Sequence, residues 1–242
     1  MNTAILILAA RQSLLENHSE EFPLCLAETD GVSLIERIIG NTRSIVHSKY
    51  FFALLESEMR RYHLDQVASL LAPGSRVICV PEGTGGSTCT ALLAASQINP
   101  DDSLLIISAN ELVDCDLSAV LNDFQSRELD AGTLIFHSIH PRYSYVRLDE
   151  FGMVTETAQQ NPITNHATVG IFWFKKASEF VESAMESIRK GATTSGNFYV
   201  ATTFNEMILR QKKIGIFKIE NDKYHPLKND RQIEHFESGV RL

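Results

Sequence analysis

The stretch RVICVPEGTGGSTCTALLAASQINPDDSLLIIS, residues 76–108, decides the fold class. Arg76–Val80 is a short apolar run, Gly83–Ser87 a glycine-rich loop, and Thr88–Gln97 a helical segment rich in alanine and leucine. Asn99–Asp102 makes a turn, and Ser103–Ser108 is a second apolar run too short for a typical helix. Strand, loop, helix, turn and strand in that order read as a βαβ unit with parallel strands.

Towards the N-terminus the same alternation holds. Thr3–Ala10 is apolar on both faces, which suits a strand buried between helix layers. Ser33–Ile39 opens a helix, with Ser33 as N-cap and Glu36 at the capping-box position. Tyr50–Leu55 is another strand, and a helix from about Met59 to Leu71 ends at Pro73-Gly74. Beyond Ser108 the character changes. Gly132–His137, Tyr143–Leu148, Met153–Glu156 and Thr168–Phe174 are strand-like, with a hairpin turn at Asp149–Gly152. A helix at Ala177–Lys190 and an apolar run at Ile214–Ile219 follow. The expectation is one α/β domain over residues 1–242: a mostly parallel central sheet, helices on both faces, and a mixed second half. In open sheets of this kind ligands bind beyond the carboxyl ends of the strands. The loops after Ala10, Val80 and Ser108 should therefore converge on the site.

Composition narrows the function classes. The 242 residues carry 22 basic and 30 acidic side chains, a formal charge of −8 that repels a polyanion, so nucleic acid is not the expected partner. The longest apolar runs fall far short of the ~20 residues that span a bilayer. Met1–Leu8 lacks a basic start and a small-residue cleavage site, and reads as a strand, not a signal peptide. Cys25, Cys79, Cys89 and Cys115 lie scattered without CxxC spacing, which points to reduced thiols and a cytoplasmic setting. The eight histidines show no ligand spacing, and no nucleophile elbow is legible.

The three loops carry a resemblance. Leu8-Ala9-Ala10-Arg11, then Pro23-Leu24-Cys25-Leu26, then Gly31-Val32-Ser33-Leu34-Ile35-Glu36-Arg37 follow the spacing of L-A-G-x-G-x-R, P-K-P-L and G-x-P-L-I-E-R. The chain thus resembles the sugar-phosphate nucleotidyltransferases, nearest to the branch found with capsule and surface-polysaccharide genes. The resemblance runs from about residue 3 to 237 and implies a Rossmann-like, GT-A-type three-layer sandwich. It also implies that NTP and a sugar 1-phosphate are joined into an NDP-sugar with Mg²⁺. Ala9, Ala10, Thr84, Gly86 and Ser87 would hold the nucleotide, small residues letting a flat base approach backbone. A strand-to-helix turn that needs glycine for its own geometry is the alternative for the second loop.

The phosphate and metal positions depart from the pattern. Both glycines of the first loop are absent, Leu24 stands for the lysine, and Arg11 alone remains as the charged catalytic candidate. Asn110 stands where the family places the metal-binding Asp, so Mg²⁺ would fall to Asn110, Glu111 and Asp114. Asp114 and Asp116 form a D-x-D, which could equally cap the helix Leu117–Phe124. His140–Tyr145 and Val154–Glu156 match a stretch that faces the sugar in relatives, giving Tyr145, Glu156, Gly170 and Asn197 as substrate ligands. Glu156 could accept from two adjacent hydroxyls. Gly170 could instead serve close strand packing. Gln159-Gln160 replace the family's E-K, whose lysine binds the sugar phosphate.

Three readings follow: a nucleotidyltransferase with weakened chemistry, a non-catalytic binder of sugar or nucleotide that regulates a pathway, and a GT-A-type glycosyltransferase using Asp114–Asp116. Mg²⁺ is expected if the protein is active and no cofactor otherwise. The partner is a small sugar phosphate or nucleotide, with no membrane, and a homo-oligomer is compatible with the sequence.

Overall fold

The computed structural model describes residues 2–10, 23–227 and 230–238. In the first half the chain runs through β1 (Thr3–Leu8), the short hairpin β2 (Glu28–Thr29) and β3 (Val32–Ser33), and α1 (Leu34–Thr42). It continues through β4 (Ser48–Leu55), α2 (Glu56–Tyr62), α3 (Leu64–Leu71), β5 (Arg76–Val80), α4 (Ser87–Ala95) and β6 (Ser103–Ser108). The second half adds β7 (Glu111–Val113), α5 (Leu117–Ser126), β8 (Ala131–His137), β9 (Ser144–Leu148), β10 (Val154–Gln159) and β11 (His166–Phe174). It ends with α6 (Ala177–Arg189), α7 (Thr203–Leu209), β12 (Ile214–Lys218), β13 (Tyr224–Pro226) and α8 (Asp230–Glu237).

One nine-stranded mixed sheet carries both halves. Its order is β10-β9-β11-β6-β1-β4-β5, with β8 on the other edge of β11 and β12 on β8. The four strands β6, β1, β4 and β5 are mutually parallel, and β11 joins them antiparallel through Ile171–Phe174. From β1 the chain moves out to β4 and β5, then returns to β6 on the opposite side of β1. That reversal makes a switch point between β1 and β6, where a crevice opens beyond the strand ends. The register aligns Leu8 with Ala53 and with Ser108, so the loops after β1 and β6 leave the sheet side by side.

Alternation along β1 divides the core between the two faces. Ile5 and Ile7 pack with α1, α3 and α5 through Leu34, Ile38, Leu64 and Phe124. Ala4 and Leu6 pack with α4, α6 and α7 through Ala94, Phe180, Phe204 and Met207. Each fully buried Leu, Ile or Phe contributes about 1.5–3 kcal/mol relative to exposure, so the central strands are the most firmly held part of the molecule. Ser33 caps α1, its hydroxyl accepting from Glu36 N at 3.4 Å.

Two expectations about elements need correction. The first strand stops at Leu8, leaving Ala9 and Ala10 as loop. The helix read from Met59 to Leu71 is two helices, because His63 takes a left-handed conformation with φ 52° and ψ 40°. His tolerates that region better than most residues. The break turns Leu64 and Ala68 into the core, while α2 buries no residue.

Candidate functional site

A cleft of about 790 Å³ lies over the ends of β1, β5 and β6, where the switch point puts it. The first-half loops wall one side, and the β8–β9 connection, the end of β10, Gly170 and residues 197–201 wall the other. Nine of the residues singled out by sequence line it: Ala9, Ala10, Thr84, Gly86, Ser87, Asn110 and Glu111, with Gly170 and Asn197 from later in the chain. Arg11 lies outside the described residues.

The glycine loop has a partner within the chain. A two-residue turn at Ser195-Gly196, both with positive φ, joins Thr194 and Asn197 by reciprocal backbone hydrogen bonds of 2.9 and 3.0 Å. It delivers residues 197–200 onto the loop as a strap. Phe198 N donates to Gly85 O at 2.8 Å, Thr88 N donates to Phe198 O at 3.1 Å, and Val200 N donates to Ser87 Oγ at 3.3 Å. Gly86 has φ +100°, and a Cβ there would meet Phe198 O at 2.4 Å. Glycine at position 86 is therefore required by the strap, whatever ligand enters the cleft.

On the floor, Glu111 is buried, and its Oε2 accepts from Gly170 N at 2.9 Å and from the Tyr224 hydroxyl at 2.5 Å. Burial first, then the neighbouring Glu111 charge, pushes the Tyr224 phenol well above its ordinary range. Asn110 O accepts from Leu227 N at 2.9 Å, and β13 pairs antiparallel with β7. A late segment of the chain thus braces the loop after β6. Cys25, also on the lining, is pushed up to about 12, chiefly by burial, so it stays a thiol and is no nucleophile.

Three sequence-based assignments lie outside the cleft. Asp114 points to a shallow depression beside Asn41 and Arg43, its Oδ2 at 2.9 Å from His225 Nε2. Asp116 caps α5, accepting from Ser118 N at 2.9 Å and from Ser44 Oγ at 3.1 Å, bonds that hold its carboxyl below the usual range. The D-x-D is split between these two jobs. Tyr145 is fully buried, and its hydroxyl donates to His140 O at 2.5 Å. Successive β residues face opposite sides, so Ser144 reaches the lining and Tyr145 the core. Glu156 sits on the exposed side of the β9–β10 hairpin in an ion pair with Arg147 at 2.8 Å.

The residues expected to bind Mg²⁺ do not fit the ion. Asn110 carries no charge, Glu111 already serves two donors, and Asp114 faces elsewhere. Among the described residues no three His, Cys, Asp or Glu side chains converge on a metal-sized space. The lining adds side chains without an individual ligand role in the sequence analysis: His140, Arg142 and Ser144 from the stretch matched to a sugar-facing segment, Gln159 at the E-K position, and Tyr199. Strand parity between Ser144 and Tyr145 is the available signal for Ser144.

No protein-family model matches the chain, and no curated protein matches it in sequence. Solved structures do match it along almost its whole length. A nucleoside-diphosphate-sugar pyrophosphorylase from Vibrio cholerae RC9 superposes with a TM-score of 0.79 at 18% identity, covering 96% of this chain and 98% of that one. A UDP-glucose pyrophosphorylase complexed with UDP-glucose gives 0.75 at 13%, covering 98% and 97%. A UTP-bound UGPase from Acinetobacter baumannii gives 0.72 at 11%, covering 98% and 92%. At these identities the likeness is one of fold. No helix among the described residues is long and apolar enough to cross a membrane.

Proposed function

We propose that this chain is a nucleotidyltransferase-type protein of sugar-nucleotide metabolism that binds a nucleoside diphosphate sugar and carries out nucleotidyl transfer slowly or not at all. The base would lie along Thr84–Ser87 and the sugar near Gly170 and Asn197, with the phosphates between. The fold shared with sugar-nucleotide pyrophosphorylases supports the ligand class. A cleft of this volume suits a ligand of that size.

The observation that carries the reading on activity is the floor. Transfer at an α-phosphorus needs charge neutralisation, usually from Mg²⁺ and basic side chains. Among the described lining residues the fixed charges are Glu82, Glu111 and Arg142, and Leu24 and Gln160 stand where the resemblance calls for lysines. Losing one such stabilising group typically costs about 10²–10³ in rate. The glycosyltransferase reading loses its support, because Asp114 and Asp116 do not act as a pair at the cleft. A role in making surface polysaccharide is the biological setting that the sequence resemblance favours.

The test pairs two measurements. Pyrophosphate release is followed with each common NTP, a panel of hexose 1-phosphates and Mg²⁺, and binding of NDP-glucoses is followed by calorimetry. Binding with negligible release is the expected result. Turnover near ~1 s⁻¹, the low end of ordinary enzymes, would overturn the reading on activity, and no binding by any NDP-glucose would overturn the ligand class.

A further inference from the structure

Gln160 stands at the sequence position where the family's sugar-phosphate lysine is expected, and it follows the end of β10 with φ +56°. Its backbone N–H donates to Tyr143 O at 2.9 Å, and Gln159 pairs with Ser144 across the two strands. This register brings Arg142, on the neighbouring connection, beside Gln160 at the same wall of the cleft. Arg142 is half-buried and forms no ion pair with a described carboxylate.

The guanidinium is held in place by His140 and Tyr143. Its Nε donates to His140 Nδ1 at 3.3 Å, Nη2 lies 3.3 Å from His140 Nε2, and the guanidinium carbon is 6.0 Å from the Tyr143 ring centroid. The His140 carbonyl in turn accepts from the buried Tyr145 hydroxyl, which anchors the loop to the core. An arginine has five N–H donors, and these contacts leave several for a ligand. A guanidinium already oriented and partly desolvated binds a phosphate with less ordering cost than a free lysine would.

We infer that Arg142 receives the sugar-linked phosphate of the ligand, taking over from the neighbouring β8–β9 connection the role that Gln160 cannot fill. The inference rests on the sugar-nucleotide reading of the cleft. Tyr145 and His140 are positioning residues for it, acting through the loop.

Calorimetry on wild type, Arg142→Gln, Arg142→Lys and the double variant Arg142→Gln/Gln160→Lys tests this, with UDP-, dTDP-, CDP-, ADP- and GDP-glucose as probes. The best-bound NDP-glucose is compared with its nucleoside monophosphate, and thermal melts verify folding. Arg142→Gln should weaken the NDP-glucose by about ten-fold or more, as expected for a lost charge-assisted hydrogen bond, and leave the monophosphate nearly unchanged. Arg142→Lys should retain part of the affinity, and the added lysine at position 160 should restore part of it. Equal weakening of both ligands, or no weakening of either, overturns the role of Arg142 while leaving the ligand class standing. If Arg142→Gln does not fold, the Arg142→Lys variant decides: affinity for the NDP-glucose unaltered from wild type overturns the inference. Absence of binding to wild type overturns both readings together.

Discussion

Glu111 Oε2 accepts the backbone N–H of Gly170 at 2.9 Å, tying the loop after β6 to the middle of β11. The residue that the sequence offers as a metal ligand is thus part of the floor itself. Its other contact, the Tyr224 hydroxyl, adds β13 to the same joint, so three distant segments meet on one carboxylate.

Gly170→Ala should destabilise the protein. A Cβ at that position would stand 2.5 Å from Glu111 Oε1 and 2.8 Å from Ser108 Cβ and Oγ, closer than packed atoms tolerate. Overpacking of this kind costs about 1–3 kcal/mol. Urea unfolding should show a lower midpoint with an unchanged slope, and a midpoint equal to wild type would contradict the geometry.

The two glycines of the second loop should behave differently. Gly86→Ala forces a side chain against Phe198 backbone at φ +100°, whereas Gly83, at φ +73°, has open space where its Cβ would be. Gly83→Ala should therefore cost only the left-handed strain, roughly 1–2 kcal/mol. Gly86→Ala should cost more and also displace the strap at residues 197–200, weakening NDP-glucose binding. Proteolysis and calorimetry on both variants check this, and equal effects would sink the strap argument.

Glu156→Ala and Asp114→Ala should leave NDP-glucose affinity unchanged, with or without Mg²⁺. Glu156 is in an exposed ion pair with Arg147, a kind of contact worth about 0–1 kcal/mol, and Asp114 faces a different depression. A marked loss of binding in either variant would return that residue to the site.

What the sequence shows and what it hides have physical causes. The βαβ half is legible because its signals are local: apolar runs, glycine breaks, and the caps at Ser33 and Asp116. The convergence of Ala10, Gly86 and Asn110 follows from parallel topology alone. The pairing of β7 with β13 is not legible, since Glu111 and Pro226 are far apart in the chain and both strands are three residues long. Tyr145 and Glu156 are expected as sugar ligands because their stretches match ones that face the sugar in relatives and their chemistry suits hydroxyls. Chemistry does not say which side of a strand a residue faces, and a register shift between Val154 and Glu156 removes even the simple alternation there. The strap on Gly86 is hidden for the same reason as β13, because a glycine's neighbour in space leaves no trace in its neighbours in sequence.

Tyr224→Phe should alter the alkaline limb of stability. The phenol of Tyr224 is held well above its ordinary value of 10.0, mainly by burial and secondly by the Glu111 charge. A folded-state value raised above the unfolded one means that the fold favours the protonated phenol. That advantage is fully present below about pH 10 and is lost as pH rises towards the folded value. Phenylalanine keeps the ring contact with Phe136, at 4.3 Å between centroids, but removes the donor to Glu111. At pH 8 the variant should be less stable by about 1.5–3 kcal/mol, the range for a hydrogen bond to a charged group. Above pH 10 wild type should lose stability faster than the variant, so the gap between them narrows. Urea unfolding from pH 8 to about pH 11 reads this directly. Parallel profiles would mean that the Tyr224 phenol does not titrate against the fold.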